Sequence, residues 1–322
     1  MGHKPRYKPV AHVLEEVAQI GRIPGMRYIL LADDNFPAHA GKAKEILAAL
    51  GRWNRQQRVP LSFFTQLSVD IAGDDEFLRL AAEAGLTSVF AGIETPDLSS
   101  LAECRKTPNL RIDLLQAVRL FHTYGIQVVS NGIVGFDHDD RSVFQQQFDF
   151  FMRSGIAMVR VSPLQVLDGT PLKERMIREG RYLPSLPDSA SELFHFSFVP
   201  RQLSHGELKQ GICWLLRQLY VPENFLMRFK TFFAHFAASP HKAGLAIPPS
   251  HIGLQELAVS GRLAWQLLVH CSAEEKALFR RMMECAERSR HPRRSAILLE
   301  TFIEYLNMRQ LLARILPDGN SD

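Results

Sequence analysis

Residues 82–92 read AEAGLTSVFAG, and the turn in the middle of this stretch decides the fold. A segment with helical apolar spacing stops at Gly85, the residue type that reaches the left-handed conformation closing a helix, and a β-branched and aromatic run follows at once. The same phrase returns as HTYGIQVVSNG at 122–132 and as MRSGIAMVRVS at 152–162, with Gly125 and Gly155 in the place of Gly85. The segments before each glycine repeat apolar residues at helical spacing: Phe77, Leu80, Ala81 and Ala84; Leu114, Leu115, Val118 and Phe121; Phe144, Phe148 and Phe151. Two earlier strands are expected at Met26–Leu31 and Leu61–Ser68, separated by a helix carrying Ala43, Ile46, Leu47, Leu50 and Trp53. Strands that alternate with helices pair in parallel through right-handed crossovers, so the first half of the chain predicts a barrel or an open doubly wound sheet.

The polar residues then collect at one end of that sheet. Reading each strand at its carboxyl end gives Asp33, Asp34 and Asn35; Gln66, Ser68 and Asp70; Glu94; Asn131 and Asp137; Gln165 and Asp168. In parallel α/β folds these ends share a face, and ligands bind there. Two adjacent carboxylates after the apolar LLA of residues 30–32 cannot lie inside a buried strand, because an unpaired buried charge costs several kcal/mol. They mark the point where the strand emerges. Asp74 and Asp140 read as helix N-caps, and Asp137 and Asp139 as decoration of the turn before Asp140. Glu94 precedes Thr95-Pro96, where no helix can start, and a charge that ends a buried strand calls for a partner.

Composition narrows the function classes. The 322 residues are 46% hydrophobic and 22% charged, the make-up of an ordinary globular chain, and 38 Lys and Arg interleave with 34 Asp and Glu to a net charge of +4. That balance gives no reason to expect a nucleic-acid partner. Cys104, Cys213, Cys271 and Cys285 form no C-x-x-C pair, which argues against a disulfide framework or compact zinc site and for a reducing cytoplasm. No apolar run approaches the ~20 residues of a membrane span, and MGHKPRYKPV lacks the apolar core of a secretion signal.

Several motifs carry a family resemblance. LLADDNF (30–36), FFTQLSVDIA (63–72), VFAGIETPDLSSL (89–101) followed by Lys106, SNGIVGFDHDD (130–140) and SPLQVLDGTPLKERMIREGR (162–181), in this order, resemble the radical S-adenosylmethionine (SAM) superfamily. The likeness is to its cobalamin-binding branch with a carboxyl-terminal domain of unknown function 4070, which includes hopanoid methylases, and it continues loosely through LSHGELKQGICWLLRQLYVPENFLMR. The resemblance implies a partial TIM-like (β/α)6 barrel with SAM across its strand ends and an α-helical domain after it, with boundaries expected at 1–185 and 186–322. It places Asp33, Asp34 and Asn35 at the SAM amino group, where carboxylate and amide oxygens suit a protonated amine. Ser68 and Glu94 would bind polar groups of SAM or substrate, Gly132, Ile133 and Gly135 would let the backbone approach the adenine, and Leu164, Gln165 and Val166 would offer backbone groups to its edge.

The resemblance also implies a [4Fe-4S] cluster on a C-x-x-x-C-x-x-C loop and a cobalamin-binding domain, and this sequence contains no such cysteine spacing. Because KPVAHVLEEVAQIG resembles the family's first helix, the first strand and the cluster loop are expected to precede Met1, leaving an unpaired barrel edge. The expected function is therefore the SAM-binding core of a radical enzyme, a cobalamin-dependent methyltransferase or a relative of one, acting on a small or lipid-like substrate and associating with whatever supplies the missing part. Two rivals stand beside it: a catalytically silent partner protein, and a divalent-metal barrel hydrolase, for which only His138 lies near the strand ends. Beyond Tyr182, a turn-rich linker leads into helices expected at Glu207–Tyr220, Glu223–Phe236, Leu254–Val259, Ala273–Glu287 and Arg294–Leu316. The phenylalanines of FLMRFKTFFAHF read as core, and RSRHPRR (288–294) as a solvated turn.

Overall fold

The computed structural model describes residues 6–184, 196–239, 269–289, 291 and 293–315. Five strands, β1 (Tyr28–Leu31), β2 (Ser62–Leu67), β3 (Leu86–Ala91), β4 (Gln127–Val134) and β5 (Met158–Pro163), form one sheet in the order β1-β2-β3-β4-β5. Every neighbouring pair is parallel. When strands follow in sequence order and each crossover is right-handed, all connecting helices fall on one face, so the sheet curls as a partial barrel. That order excludes the doubly wound alternative, which needs helices on both faces. Period-two alternation sorts the side chains: Ile29, Phe63, Leu67, Val89, Ala91, Val128, Val134, Val159 and Val161 are buried under the helices. Their neighbours Leu30, Gln66, Phe90, Val129 and Arg160 are exposed or half-buried on the concave inner face.

The outer layer is α1 (Val10–Gly21), α2 (Ala40–Asn54), α3 (Asp75–Ala84), the short α4 (Leu98–Glu103) and α5 (Thr107–Leu110), α6 (Leu114–Thr123), α7 (Val143–Ser154) and α8 (Pro171–Arg178). Caps set their limits. Asp74 accepts from Phe77 N at 3.0 Å and Asp97 from Ser100 N at 2.6 Å. Gly155, at φ +71°, closes α7, and a Cβ there would lie 2.8 Å from Phe232 N, so the glycine also admits the next layer of structure. Asp140 is not the cap of α7. Its carboxylate takes Ser142 N and Oγ at 2.8 and 2.6 Å in a local turn, and Ser142 is the residue that precedes the helix.

The rest of the chain contributes α9 (His205–Leu219), α10 (Pro222–Ala237), α11 (Ala273–Glu287) and α12 (Arg294–Ile315). The helix expected at Leu254–Val259 and most of the expected linker lie outside the described residues. Phe225, Phe229, Phe232, Phe233 and Phe236 are buried in the same hydrophobic cluster as the barrel's outer layer, so the stripe is core rather than pocket lining. The free edge of β5 is capped by Tyr220, whose hydroxyl donates to Val159 O at 2.6 Å and receives Val159 N at 3.3 Å. Arg228, fully buried, donates to Ile156 O and Ala157 O at 2.7 and 2.8 Å and also to Leu219 O. The outer edge of β1 has no strand beside it among the described residues.

The basic run is not a solvated turn. Ser289, His291 and Arg293 are buried, and Arg293 lies 3.8 Å from Glu300. Here α12 closes the amino-terminal end of the barrel: Gln127 Nε2 donates to Thr301 Oγ1 at 3.3 Å, and Tyr28 bonds Ser88 from inside the sheet.

Candidate functional site at the carboxyl ends of the strands

The predicted strand-end residues do gather on one face. After β1 the chain turns sharply: Asp33 Oδ1 accepts from Asn35 N at 2.9 Å, Phe36 N returns to Gln66 O at 3.0 Å, and Asn35 Oδ1 accepts from Ser68 N at 3.0 Å. The turn ties the end of β1 to that of β2 and leaves Asp33 and Asp34 exposed without an ion pair among the described residues. A cleft of about 590 Å³ opens beside it, lined by Asn35, Ser68, Asp70, Asp74 and Asp75 among others. Ser68 Oγ is buried there without a hydrogen-bond partner. Carboxylates and unpaired acceptor oxygens make this a place for a cation or an N–H donor.

Glu94 has the partner its position called for, and that partner comes from the same chain. Lys106 Nζ donates to Glu94 Oε1 at 2.7 Å, with the two side chains 33% and 19% exposed, so the pair is accessible to a ligand. Glu94 holds φ at +65°, unusual for a non-glycine residue. Four bonds enforce it: its carbonyl accepts from Ile133 N at 2.6 Å and Gln147 Nε2 at 3.1 Å, and Asn109 Nδ2 holds the carbonyls of Gly92 and Ile93 at 2.9 Å each. At Gly92 a Cβ would sit 2.8 Å from Glu94 Oε1 and 3.0 Å from Lys106 Nζ. Sequence reasoning noticed Lys106 but gave it no role, and missed Asn109, Gln147 and the reason for Gly92.

Gly132 in β4 and Gly135 just after it make room for the protein's own side chains. A Cβ at Gly132 would meet Gln147 Oε1 at 2.9 Å and the Phe151 ring at 3.1 Å, and one at Gly135 would meet Phe198 and Leu208 at 3.3 and 3.5 Å. Their smallness admits α7 and the carboxyl-terminal part. Ile133 packs on a second apolar cluster of Phe136, Leu164, Val166, Met176 and Phe198. Leu164 N bonds Val134 O at 2.8 Å and Val166 N bonds Ser197 Oγ at 3.1 Å, so those two amides are already engaged, with Gln165 between them at the end of β5.

Asp137 and Asp139 do more than decorate a turn. Asp137 joins Arg175, Arg181 and Arg201 at 2.8, 2.6 and 3.3 Å. Burial alone would raise its pKa, but the bond from Arg181 and the three guanidinium charges hold it below the usual carboxylate range. Asp139 accepts Gly135 N, Phe136 N and Ser100 Oγ at 2.7, 3.0 and 2.8 Å, and burial pushes its carboxyl up to about 6 against those bonds. His138 Nδ1 pairs with Glu103 Oε2 at 3.1 Å.

Comparison with known proteins fits this geometry. Residues 1–151 match the Radical SAM superfamily, and residues 170–314 match the Domain of unknown function (DUF4070). The chain joins a radical SAM domain to a DUF4070 domain. It is 30% identical over 238 residues to the hopanoid C-2 methylase of Rhodopseudomonas palustris, covering 74% of this chain and 44% of that protein. It is 29% identical over 260 residues to an uncharacterized methyltransferase of Synechocystis, covering 80% and 48%. The chain thus spans about half the length of the curated relatives it matches. In fold it is similar to the cobalamin-dependent SAM radical enzyme OxsB with aqua-cobalamin bound, at TM-score 0.50 and 14% identity over 97% of this chain and 52% of that one.

Radical SAM domains imply SAM and a [4Fe-4S] cluster, and the donors present fit the two unequally. Exposed Asp33 and Asp34, with the unpaired Ser68 Oγ beside them, fit a protonated amine. The cluster does not fit these donors. Among the described residues no three His, Cys, Asp or Glu side chains converge as a metal-binding group. Cys104 donates to Leu101 O at 3.4 Å, and burial raises its pKa, the wrong direction for a thiolate ligand. No described helix is long and apolar enough to cross a membrane.

Proposed function

We propose that this chain is the SAM-holding part of a cobalamin-dependent radical SAM methyltransferase. The observation that carries the reading is the convergence of Asp33, Asp34, Asn35, Ser68 and Glu94 at the carboxyl ends of β1, β2 and β3 in a domain of this family. SAM supplies the group-transfer and radical chemistry of such enzymes. The chain's own part is to accept the ligand's ammonium at the Asp33–Asn35 turn, to orient it against the Glu94–Lys106 pair, and to keep water from the strand ends. The cluster thiolates come from outside these residues, and the open edge of β1 supports association with a segment or chain that supplies a further strand together with them. In size-exclusion chromatography the purified chain should self-associate or need a partner; a monodisperse, heat-stable monomer counts against that part.

Calorimetric titration with SAM tests the reading. Without iron to chelate the amino acid end, affinity should lie in the roughly millimolar range. Asp34→Ala and Glu94→Gln should each weaken it about five- to tenfold, through loss of a charge-assisted bond, while Asp140→Ala should leave it unchanged. Undetectable binding, or three variants that behave alike, would mean that the acidic cluster is structural. In that case the catalytically silent relative becomes the better reading.

A further inference from the structure

The inner face of the barrel holds an arginine that nothing in the fold uses. Arg160 stands in the middle of β5 between Val159 and Val161, both buried on the helix side, so alternation turns Arg160 to the concave side. The bond from Asn131 Nδ2 to Ser162 Oγ, 2.8 Å, fixes that face, because Asn131 and Arg160 are partners in the ladder and Ser162 lies two residues on. Arg160 is exposed and makes no hydrogen bond or ion pair among the described residues. Its charge is felt by the buried Tyr220 phenol, which offers it no carboxylate. By contrast Arg175, Arg181, Arg201 and Arg228 all have acceptors.

Register places an apolar shelf directly beneath it. Phe90, Val129 and Met158 are level with one another across β3, β4 and β5, and each is half-buried. One layer lower, Leu30 and Phe64 are level across β1 and β2, with Leu30 51% exposed. The floor below is closed by α12. A cation with two neutral hydrogen-bonding neighbours, above an apolar wall in a closed-bottomed concavity, recognises an amphipathic anion: a carboxylate or phosphate on a hydrophobic body.

We infer that Arg160, with Asn131 and Ser162, binds the anionic group of the substrate, and that Leu30, Phe64, Phe90, Val129 and Met158 take its apolar body. This deepens the SAM-binding reading and rests on it for the word substrate. The carboxylate of SAM itself is not the anion meant. In one amino acid the ammonium and carboxylate are bonded to the same carbon, whereas the Asp33–Asn35 turn follows β1 and Arg160 is on β5, the two outermost strands of the sheet.

Titration of the whole chain with decanoate, decyl phosphate and the neutral decanamide tests the inference, read by calorimetry on wild type, Arg160→Gln, Arg160→Lys and, as a control on the outer surface, Arg153→Gln. The wild type should bind at least one of the two anions about tenfold more tightly than decanamide, and which one it prefers identifies the group. Arg160→Gln should abolish that preference without changing decanamide affinity, Arg160→Lys should keep part of it, and Arg153→Gln all of it. Equal binding of anion and amide by the wild type, no binding of either anion, or an unchanged preference in Arg160→Gln overturns the inference. SAM titrated into the same proteins separates the two readings: Arg160→Gln should leave SAM affinity as it is. Loss of SAM binding in wild type with the anion preference intact removes the SAM reading and keeps the anion site, whereas SAM affinity lost in Arg160→Gln alone assigns the arginine to SAM and overturns the substrate role.

Discussion

At the scale of the residue, two buried titratable groups act on stability in opposite directions. His122 of α6 is fully buried, neither ring nitrogen has a partner, and burial, with a smaller push from His235, lowers its pKa from 6.5 to about 3. The unfolded chain therefore takes up the proton first, so this group's stabilisation is complete above pH 6.5 and is lost as pH falls from 6.5 toward 3. Between pH 7 and 5 the wild type should lose about 2 kcal/mol that His122→Leu does not lose, measured by urea unfolding at the two pH values. Asp139 runs the other way. Its pKa is raised to about 6, so its favourable contribution is present below the ordinary carboxylate pKa and disappears as pH rises through 6. Asp139→Asn keeps acceptors for Gly135 and Phe136 and removes the buried charge, and should be more stable than wild type at pH 8 by on the order of 1–3 kcal/mol but not at pH 4. Asp139→Ala strands two amides and the Ser100 hydroxyl, and should cost about 2 kcal/mol or more at either pH.

At the scale of the element, the two outer strands of the sheet are treated differently. Tyr220 satisfies both backbone groups of Val159 and blunts the edge of β5, while Arg228 holds the carbonyls just before that strand. Tyr220→Phe keeps the ring and removes only the bonds to Val159, so it should destabilise by about 1–3 kcal/mol in denaturant unfolding, with little change in the native circular dichroism spectrum. A smaller effect would mean that solvent reaches Val159 once the hydroxyl is gone. No comparable cap is present at β1 among the described residues, which is why association is assigned to that edge.

At the scale of the whole molecule, the DUF4070 part completes the barrel instead of trailing behind it. One hydrophobic cluster runs from Val17 to Leu312, and α12 supplies the floor on which Tyr28, Ser88 and Gln127 close. A stop codon at Arg294 should therefore give insoluble chain without a cooperative melting transition; a soluble fragment that melts cooperatively would show that the barrel stands alone. The donor set predicts a second whole-chain result. Anaerobic reconstitution with iron and sulfide should leave substoichiometric iron and no deoxyadenosine from SAM, since no convergent thiolate set is available among the described residues. Stoichiometric iron with turnover overturns that expectation.

The alternation of helices with strands, the glycine closing each helix and the gathering of polar residues at strand ends are local properties, and the sequence by itself determined them. Apolar period and left-handed glycine act within a few residues of chain, so AEAGLTSVFAG announced a helix-to-strand joint without reference to anything distant. What a polar side chain does once it reaches the strand ends is not local. Glu94 was legible as a charge in need of a partner, but that the partner is Lys106, and that Gly92 and Asn109 make the room and the bend, depended on a loop folding back. Gly132 and Gly135 were legible as places that need a small residue, but that Gln147, Phe151 and Phe198 are what presses against them depended on how the helices pack. RSRHPRR looked solvated because burying a charge is costly, and only the tertiary structure, which packs this turn and the helix after it across the end of the barrel, buried Ser289, His291 and Arg293. Arg160 is the converse case: period two put it on the inner face, and only the tertiary structure showed that no carboxylate among the described residues reaches it there, whereas Arg175 and Arg181 are held by Asp137 and Arg228 by backbone carbonyls.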